Sequence, residues 1–386
     1  MCATSLHRIH WTGPDGQEVS AAWRSEAGVA AHTKVVLADD TMPANTAYKL
    51  ACEGTALLWQ GDFQNARHLL QALTRRLEPA AGKARDRRHQ GQEAVSAGQA
   101  FHQHRQKLAH RARILGMLLI PFEADHSIPL RRAPDVRQAC EEAYGRATEP
   151  YVVSLRELLG LIGAHEWRKK GVAIPAIEGH IHAHYGVFSP VRGEYVDLVA
   201  KAPLPPGAEL AFDIGTGSGV LAAVLARRGI QQVIATDQDA RALACAQENL
   251  HRLKLDKPVQ VIEADLFPPG QAPLIVCNPP WLPARPSSPI EYAVYDPDSR
   301  MLRGFLAGLK AHLVPGGEGW LIMSDLAEHL GLRGPDELQG WIRDAGLRVV
   351  GRLDARPRHP KAQDAADPLH QARAAEVTSL WRLAAA

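Results

Sequence analysis

The sequence predicts an α/β protein in two parts. Residues 1–170 form a mixed N-terminal domain; residues 171–386 form a doubly wound, mostly parallel seven-stranded sheet with an antiparallel last strand. Three observations predict this. From Ala208 onward, short apolar runs alternate with helical stretches, as in a parallel sheet with crossover helices. The first of these runs, at 210–214, breaks into glycines at 215, 217 and 219 just before a helix. The final two runs, 348–353 and 376–383, are close enough in sequence to pair antiparallel.

Size and charge limit the possibilities. The 386 residues suffice for two domains. With 44 Lys and Arg against 42 Asp and Glu, attraction to nucleic acid has to come from local patches. The apolar stretch 114–121 is far too short to cross a bilayer, and residues 1–13 lack the basic start and apolar run of a secretion signal. No membrane partner is expected. Five cysteines are scattered at 2, 52, 140, 245 and 277 without a Cys-x-x-Cys pair, which fits a reducing, cytoplasmic setting.

In the N-terminal part, residues 1–36 hold two or three strands of unspecified pairing, and the pattern turns helical from Asn45. Asp62 is placed to cap a helix with Phe63, Leu69, Leu70, Leu73 and Leu77 on one side, stopping near Gly82. Residues 67–113 carry eleven Lys or Arg against three acids, with Phe101 the only aromatic. They are an RNA-facing surface or a solvated helical face with a linker at 82–98; the lack of stacking aromatics favours the second. Helices follow at 135–144 and 154–167. In an extended strand His180, His182 and His184 would share a face, but no Cys or acid is spaced to complete a metal site, and no metal is expected.

The strands of the second part are 210–214, 232–236, 259–263, 274–277 and 319–323, besides the last two. Helices are read at 196–200, 219–228, 240–253, 300–313 and 335–345. The polar loop 354–375, with Arg356, Arg358, His359 and Lys361, either reaches over a substrate mouth or is a mobile loop.

Two motifs carry the chemistry. In Asp213-Ile-Gly-Thr-Gly-Ser-Gly219, the glycines let the backbone approach a ligand, with Gly215, Thr216, Gly217 and Gly219 as contact candidates. Asp213 precedes the loop, where a carboxylate meets a cation rather than a pyrophosphate. Asp237, followed by Gln238, ends the next strand, where a ribose diol would be gripped. Asp265 follows the third strand, and Leu266 and Phe267 after it suit an adenine amine and its ring face. A positive cofactor with a ribose and an adenine satisfies this set, as S-adenosylmethionine does; simple turn capping is the alternative for Asp237 and Asp265.

The second motif is Asn278-Pro279-Pro280-Trp281, at the end of the fourth strand. The prolines fix φ and remove N–H donors, so the loop presents rigid acceptors. The Asn278 side-chain oxygen and the Pro279 carbonyl can hold both hydrogens of a planar NH₂ group while Trp281 stacks on it. Rate then comes from placement and water exclusion, without a strong base.

These residues give the resemblance. Residues 185–383 resemble class I S-adenosylmethionine-dependent methyltransferases with their Rossmann-like sheet. More narrowly they resemble the small-domain type that includes glutamine and exocyclic-amine N-methyltransferases. Residues 213–219 match the family's cofactor loop, Asp237 its ribose acid, 264–267 its adenine segment and 278–281 its catalytic tetrapeptide. Gly186-Val-Phe-Ser-Pro190 with Glu194 resembles the segment that covers cofactor and substrate in such enzymes, so Tyr185 and Phe188 join Trp281 on the substrate side. Glutamine-modifying members usually carry Tyr where this chain has Trp281. The resemblance implies S-adenosylmethionine as cofactor and N-methylation of a macromolecule, a protein glutamine or an rRNA or tRNA base. A small-molecule acceptor and a catalytically silent cofactor-binding scaffold are the alternatives.

Overall fold

Alternating apolar runs become strands throughout the chain, and a computed structural model describes residues 7–78, 96–286, 289–357, 364 and 367–386. Two units form: one from the described residues of Met1–Val95 and His102–Glu166, the other from Ser96–Phe101 and Trp167–Ala386. Of the linker expected at 82–98, residues 82–95 lie outside the described residues, as do the Gly82 stop and Arg358, His359 and Lys361, while residues 97 and 98 open a helix.

The elements of the first half run β1 (Arg8–Thr12), β2 (Glu18–Trp23), β3 (Val35–Ala38), α1 (Ala44–Cys52), β4 (Ala56–Trp59) and α2 (Phe63–Leu77). Then come α3 (Ala97–Leu115), β5 (Leu118–Phe122), α4 (Arg137–Tyr144), β6 (Tyr151–Ser154) and α5 (Leu155–Lys170). The first unit is built on a six-stranded mixed sheet, ordered β1-β2-β6-β5-β4-β3. β3, β4 and β5 run parallel, as do β2 and β6; β1 with β2 and β5 with β6 are antiparallel. Ile9, Trp23, Leu58, Ile114 and Leu119 pack its core. Asp62 caps α2 as expected, its carboxylate accepting from Gln64 N, and Phe63, Leu69, Leu70 and Leu73 are buried. Phe101, read as an aromatic within a basic face, is buried at 2% exposure.

The second unit opens with a two-stranded antiparallel pair, β7 (Val172–Ile174) and β8 (Gly179–Ile181). It continues α6 (Glu194–Lys201), β9 (Leu210–Ile214), α7 (Val220–Arg227), β10 (Gln232–Asp237), α8 (Ala240–Arg252), β11 (Val259–Glu263) and β12 (Ala272–Cys277). It ends α9 (Arg300–His312), β13 (Leu313–Ser324), α10 (Leu326–His329), α11 (Glu337–Asp344), β14 (Leu347–Ala355), α12 (His370–Ala375) and β15 (Thr378–Ala385). The seven strands order as β11-β10-β9-β12-β13-β15-β14. β9 to β13 are parallel, and β15 runs antiparallel between β13 and β14. This is the doubly wound sheet with the reversed last strand, and its order switches direction between β9 and β12.

Alternation along the strands divides the core between two faces. Ala211, Leu274, Val276, Trp320 and Ile322 point to one face, with Val199, Val224 and Leu250 from α6, α7 and α8. Phe212, Ile214, Ile275, Cys277, Leu321 and Met323 point to the other, with Leu302, Phe305, Leu309 and Ile342 from α9 and α11. Each fully buried Leu or Phe adds about 1.5–3 kcal/mol to burial, which is why helices cover both faces. Among the described residues no helix is long and apolar enough to cross a membrane. Cys52, Cys140, Cys245 and Cys277 are free thiols.

The histidine segment departs from expectation. β8 stops at Ile181, so His182 and His184 do not share a strand face with His180. His182 Nδ1 lies 2.6 Å from the Arg168 carbonyl oxygen, and His184 Nε2 pairs with Glu248 at 2.6 Å. Just beyond the strand, Asn249 Oδ1 accepts the His182 backbone N–H at 2.8 Å.

Candidate active site

Register brings the motifs to one edge of the sheet. Ile214 on β9 stands opposite Thr236 on β10 and Cys277 on β12, so Gly215, Asp237 and Asn278 leave three neighbouring strands at the same level. β11 pairs Glu263 with Asp237, which places Asp265 two residues beyond that level. In open parallel sheets, ligands sit at the carboxyl ends of the strands beside the switch in strand order. That switch lies between the glycine strand and the Asn-Pro-Pro-Trp strand.

The loop is held from below and behind. Gly215, Gly217 and Gly219 all have positive φ, at 69°, 54° and 80°. A side chain at 219 would also strike the Ala246 backbone at 3.1 Å, so glycine there sets how closely α7 approaches α8. Thr216 N donates to Thr236 O at 2.8 Å, and the Met301 side chain lies over Gly215.

Asp213 is 1% exposed; its Oδ2 accepts from Thr216 Oγ1 at 2.6 Å and from Ala222 N at 3.0 Å. Burial pushes its carboxyl up to about 6 despite those donors, with the Asp237 charge adding to the rise. A raised folded-state value means the proton is held more tightly folded than unfolded. The stabilisation is therefore complete below about pH 4 and lost as pH rises through 6, a difference of about 3 kcal/mol at 1.36 kcal/mol per unit. Asp213→Asn keeps an acceptor and removes the titration. Its stability in urea relative to the natural chain should improve by about that amount between pH 4 and pH 7, and a flat difference would show that Asp213 does not titrate there.

Asp237 is half-buried, and its carboxylate accepts from Gly217 N and Asp239 N, each at 3.0 Å. Burial raises its carboxyl while those donors lower it. It therefore splints the glycine loop to the β10 turn. Gln238 and Asp265 are exposed at their turns. Leu266 has φ 71°, uncommon for a non-glycine residue, and its carbonyl accepts from Thr236 Oγ1 at 2.6 Å. Phe267 turns into α9, stacking on His312 at 4.2 Å and on Phe305 at 5.7 Å, over Gly308. Its ring is thereby engaged in packing, and Leu266 is the apolar neighbour left at the turn.

Asn278 Oδ1 accepts from Trp281 Nε1 at 3.0 Å. The Trp281 carbonyl accepts from Arg333 Nη2 at 3.1 Å, and Arg333, 5% exposed, pairs with Glu328. Leu282 exchanges backbone bonds with Val294 and Asp296. Asp296 caps α9 through Met301 N and Leu302 N. The tetrapeptide is thus braced on both sides, and Trp281 is partly buried against both core faces.

Tyr185 lies under the Arg241 guanidinium at 5.8 Å, and Phe188 packs on the core. Three positioning groups were not foreseen. Asn249, 1% exposed, donates to Ser218 O and holds His182, fastening this segment to the glycine loop. Its signal was a polar residue in the apolar stripe Ala242, Cys245, Ala246, Leu250 of α8. Glu376, 1% exposed, accepts from Ser324 Oγ at 2.7 Å and pairs with Arg192 at 3.3 Å. Arg333 had no local signal. Among the described residues no three His, Cys, Asp or Glu side chains group as a metal-ligand set.

This constellation meets a known family. Residues 178–331 match the family model described as methyltransferase small domain. That segment is similar to the methyltransferase small domain. A release factor glutamine methyltransferase of Cereibacter sphaeroides is 30% identical over 184 residues, 43% of this chain and 63% of the relative. The protein of the same name from Deinococcus radiodurans is 34% identical over 157 residues, 37% of this chain and 53% of its own length. A tRNA1(Val) (adenine(37)-N6)-methyltransferase of Tolumonas auensis is 39% identical over 79 residues, 19% of this chain and 33% of its own. The chain thus spans less than two thirds of each of these relatives.

Proposed function

We propose that the chain is an S-adenosylmethionine-dependent N-methyltransferase acting on a planar amide or exocyclic amine nitrogen of a macromolecule, a protein glutamine or an RNA base. The observation that carries this reading is the shared level of Gly215, Asp237 and Asn278 on three adjacent strands. The donor set fits a positive adenosine cofactor. Acids at 213, 237 and 265 suit a cation, a ribose diol and an adenine amine, and no cationic side chain of the motifs awaits a pyrophosphate. Gly215, Thr216, Gly217, Gly219, Gln238 and Leu266 complete the proposed cofactor contacts, and Asn278 borders the donor's methyl end, where it orients the acceptor rather than setting affinity.

When bound, the cofactor supplies an electrophilic methyl group; the chain supplies the geometry. Asn278 Oδ1 has two lone pairs, and the Trp281 indole N–H takes one, fixing the amide in a single orientation. The second lone pair and the Pro279 carbonyl then hold the two hydrogens of the acceptor amine, turning its nitrogen toward the glycine loop. Tyr185, Phe188 and Trp281 would cover the planar acceptor and exclude water. Trp281→Phe keeps a ring and loses the donor. Steady-state assays should show turnover down about fivefold, the worth of one neutral hydrogen bond, and unchanged turnover would remove Trp281 from the orienting role.

The curated relatives are named for a glutamine and for a tRNA adenine, both planar nitrogen acceptors. A separately built unit with its own six-stranded sheet suits recognition of a large acceptor. Free thiols at 52, 140, 245 and 277 suit a reducing cytoplasm. The experiment is to incubate purified enzyme and radiolabelled methyl donor with extract from cells lacking the gene. Label in protein or RNA supports the reading, label only in small molecules transfers it to a metabolite, and no label contradicts it.

A further inference from the structure

An open groove of about 530 Å³ lies where the β7–β8 hairpin meets the C-terminal ends of α7 and α8. Glu178, His180 and His182 line it from the hairpin side, and Arg227, Arg252 and Lys254 from the helix ends. Glycine at 179 lets the two sides close, since a Cβ there would lie 2.5 Å from Leu253 Cδ2. The volume falls among sites for small organic ligands, about 300–1,000 Å³, and exceeds what a lone ion fills.

The cations are held in place. Arg227 Nη2 donates to the Leu253 carbonyl at 3.2 Å, which pins the guanidinium across the end of α8. Arg252 gives Nε and Nη2 to Glu248 and keeps Nη1. Neither Arg227 nor Lys254 is ion-paired among the described residues. Lys254 N donates to His251 O and Leu255 N to Leu250 O, a helix ending that usually carries glycine, yet Lys254 stands there with φ 58°. Glu178 has φ 51°. Left-handed backbone is unfavourable for residues with a Cβ, and glycine would relieve it at both places. Basic residues at helix ends complement the helix dipoles. That accounts neither for the histidines opposite nor for a lysine where glycine fits better.

The histidines add flat surface. The rings of His180 and His182 stand 6.4 Å apart at 40°. His182 Nδ1 donates to the Arg168 carbonyl at 2.6 Å, and Gly171 lies against the ring, where a Cβ would come within 2.8 Å. Cations beside such rings suit a single-stranded nucleic acid, with phosphates on the cations and bases on the rings. An acidic peptide would use the cations only. Glu178 repels any anion, but its carboxylate can accept from a ribose 2′-hydroxyl, a donor that DNA lacks. His182 stands three residues before Tyr185, at most about 11 Å of extended chain. A strand in the groove therefore leads toward the segment beside the glycine loop.

We propose that this groove is a docking site for single-stranded RNA, with backbone phosphates held at Arg227, Arg252 and Lys254. The assignment deepens the N-methyltransferase reading and rests on it in one respect, that the docked RNA carries the methyl acceptor.

Fluorescence anisotropy on the full chain, without methyl donor, tests it with three labelled probes: an oligouridine, its deoxy counterpart of equal length, and an oligoglutamate of equal charge. The natural chain should bind the RNA more tightly than the other two, with affinity falling as salt rises. Lys254→Gly removes a charge and the left-handed strain together. It should melt no lower than the natural chain while RNA affinity at about 0.1 M salt falls about fivefold. Adding Arg227→Ala should bring the loss to about twenty-five-fold and flatten the log–log salt slope by about 1.4, at about 0.7 per phosphate contact. Unchanged RNA affinity in the double variant, or equal binding of the DNA or the oligoglutamate, would overturn the assignment. A chain that binds RNA in this way but methylates nothing defeats the N-methyltransferase reading and keeps the groove. One that methylates protein and binds no RNA does the reverse.

Discussion

Asn278→Ala is expected to slow methyl transfer on the order of a hundredfold or more, with cofactor affinity near that of the natural chain. The substitution removes the acceptor that orients the amine and releases the Trp281 indole N–H, which is bonded to it at 3.0 Å. The site loses an orienting contact and the fixed ring beside it together. Pro279, Pro280 and the brace from Arg333 to the Trp281 carbonyl stay in place, so the loop itself keeps its course. Single-turnover rates with saturating donor separate the chemical step from binding. Full activity in this variant would remove Asn278 from the chemistry.

Asp237→Ala is expected to act on binding. The carboxylate joins Gly217 N to Asp239 N, so its loss removes a proposed ribose acceptor and also loosens the glycine loop. Charge-assisted hydrogen bonds of this kind are worth about 1.5–3 kcal/mol each, so the dissociation constant for S-adenosylmethionine should rise about a hundredfold. Asp237→Asn keeps one acceptor oxygen and should fall between the two. Calorimetry reads the affinities, and thermal melts without ligand report the loop's share. Unchanged affinity in the alanine variant would move the ribose contact elsewhere.

The second unit was legible because its strands are separated by amphipathic helices and its motifs fall at strand ends, where pattern changes are sharp. β9 and β11 begin and end where they were read, and β13 starts earlier than the 319–323 reading because Val314-Pro-Gly-Gly317 within it lacks a strand pattern. The first unit was harder for a physical reason. β4 (Ala-Leu-Leu-Trp) and β5 (Leu-Leu-Ile-Pro-Phe) are almost wholly buried, so they lack the alternation that marks a half-exposed strand. The run 114–121 blurred the end of α3 into the start of β5.

Within the candidate site, the residues offered by the motifs were readable, and what fixes them was not. Asn249 bonds across 67 residues to His182, and Arg192 across 184 to Glu376. Such links are made by the fold and leave no local trace. The partners of the histidines were hidden for the same reason, since Asn249 bonds the His182 N–H and Glu248 pairs with His184. Phe267 looked free to meet an adenine because its sequence position could not show the gap over Gly308 that receives it.

The most direct measurement is a crystal structure of the full chain soaked with S-adenosylmethionine. The account predicts adenosine between Asp237 and Leu266, with the sulfonium methyl directed toward the Asn278 side chain. Adenosine lodged away from the glycine loop, or a methyl group pointing away from residue 278, would contradict it.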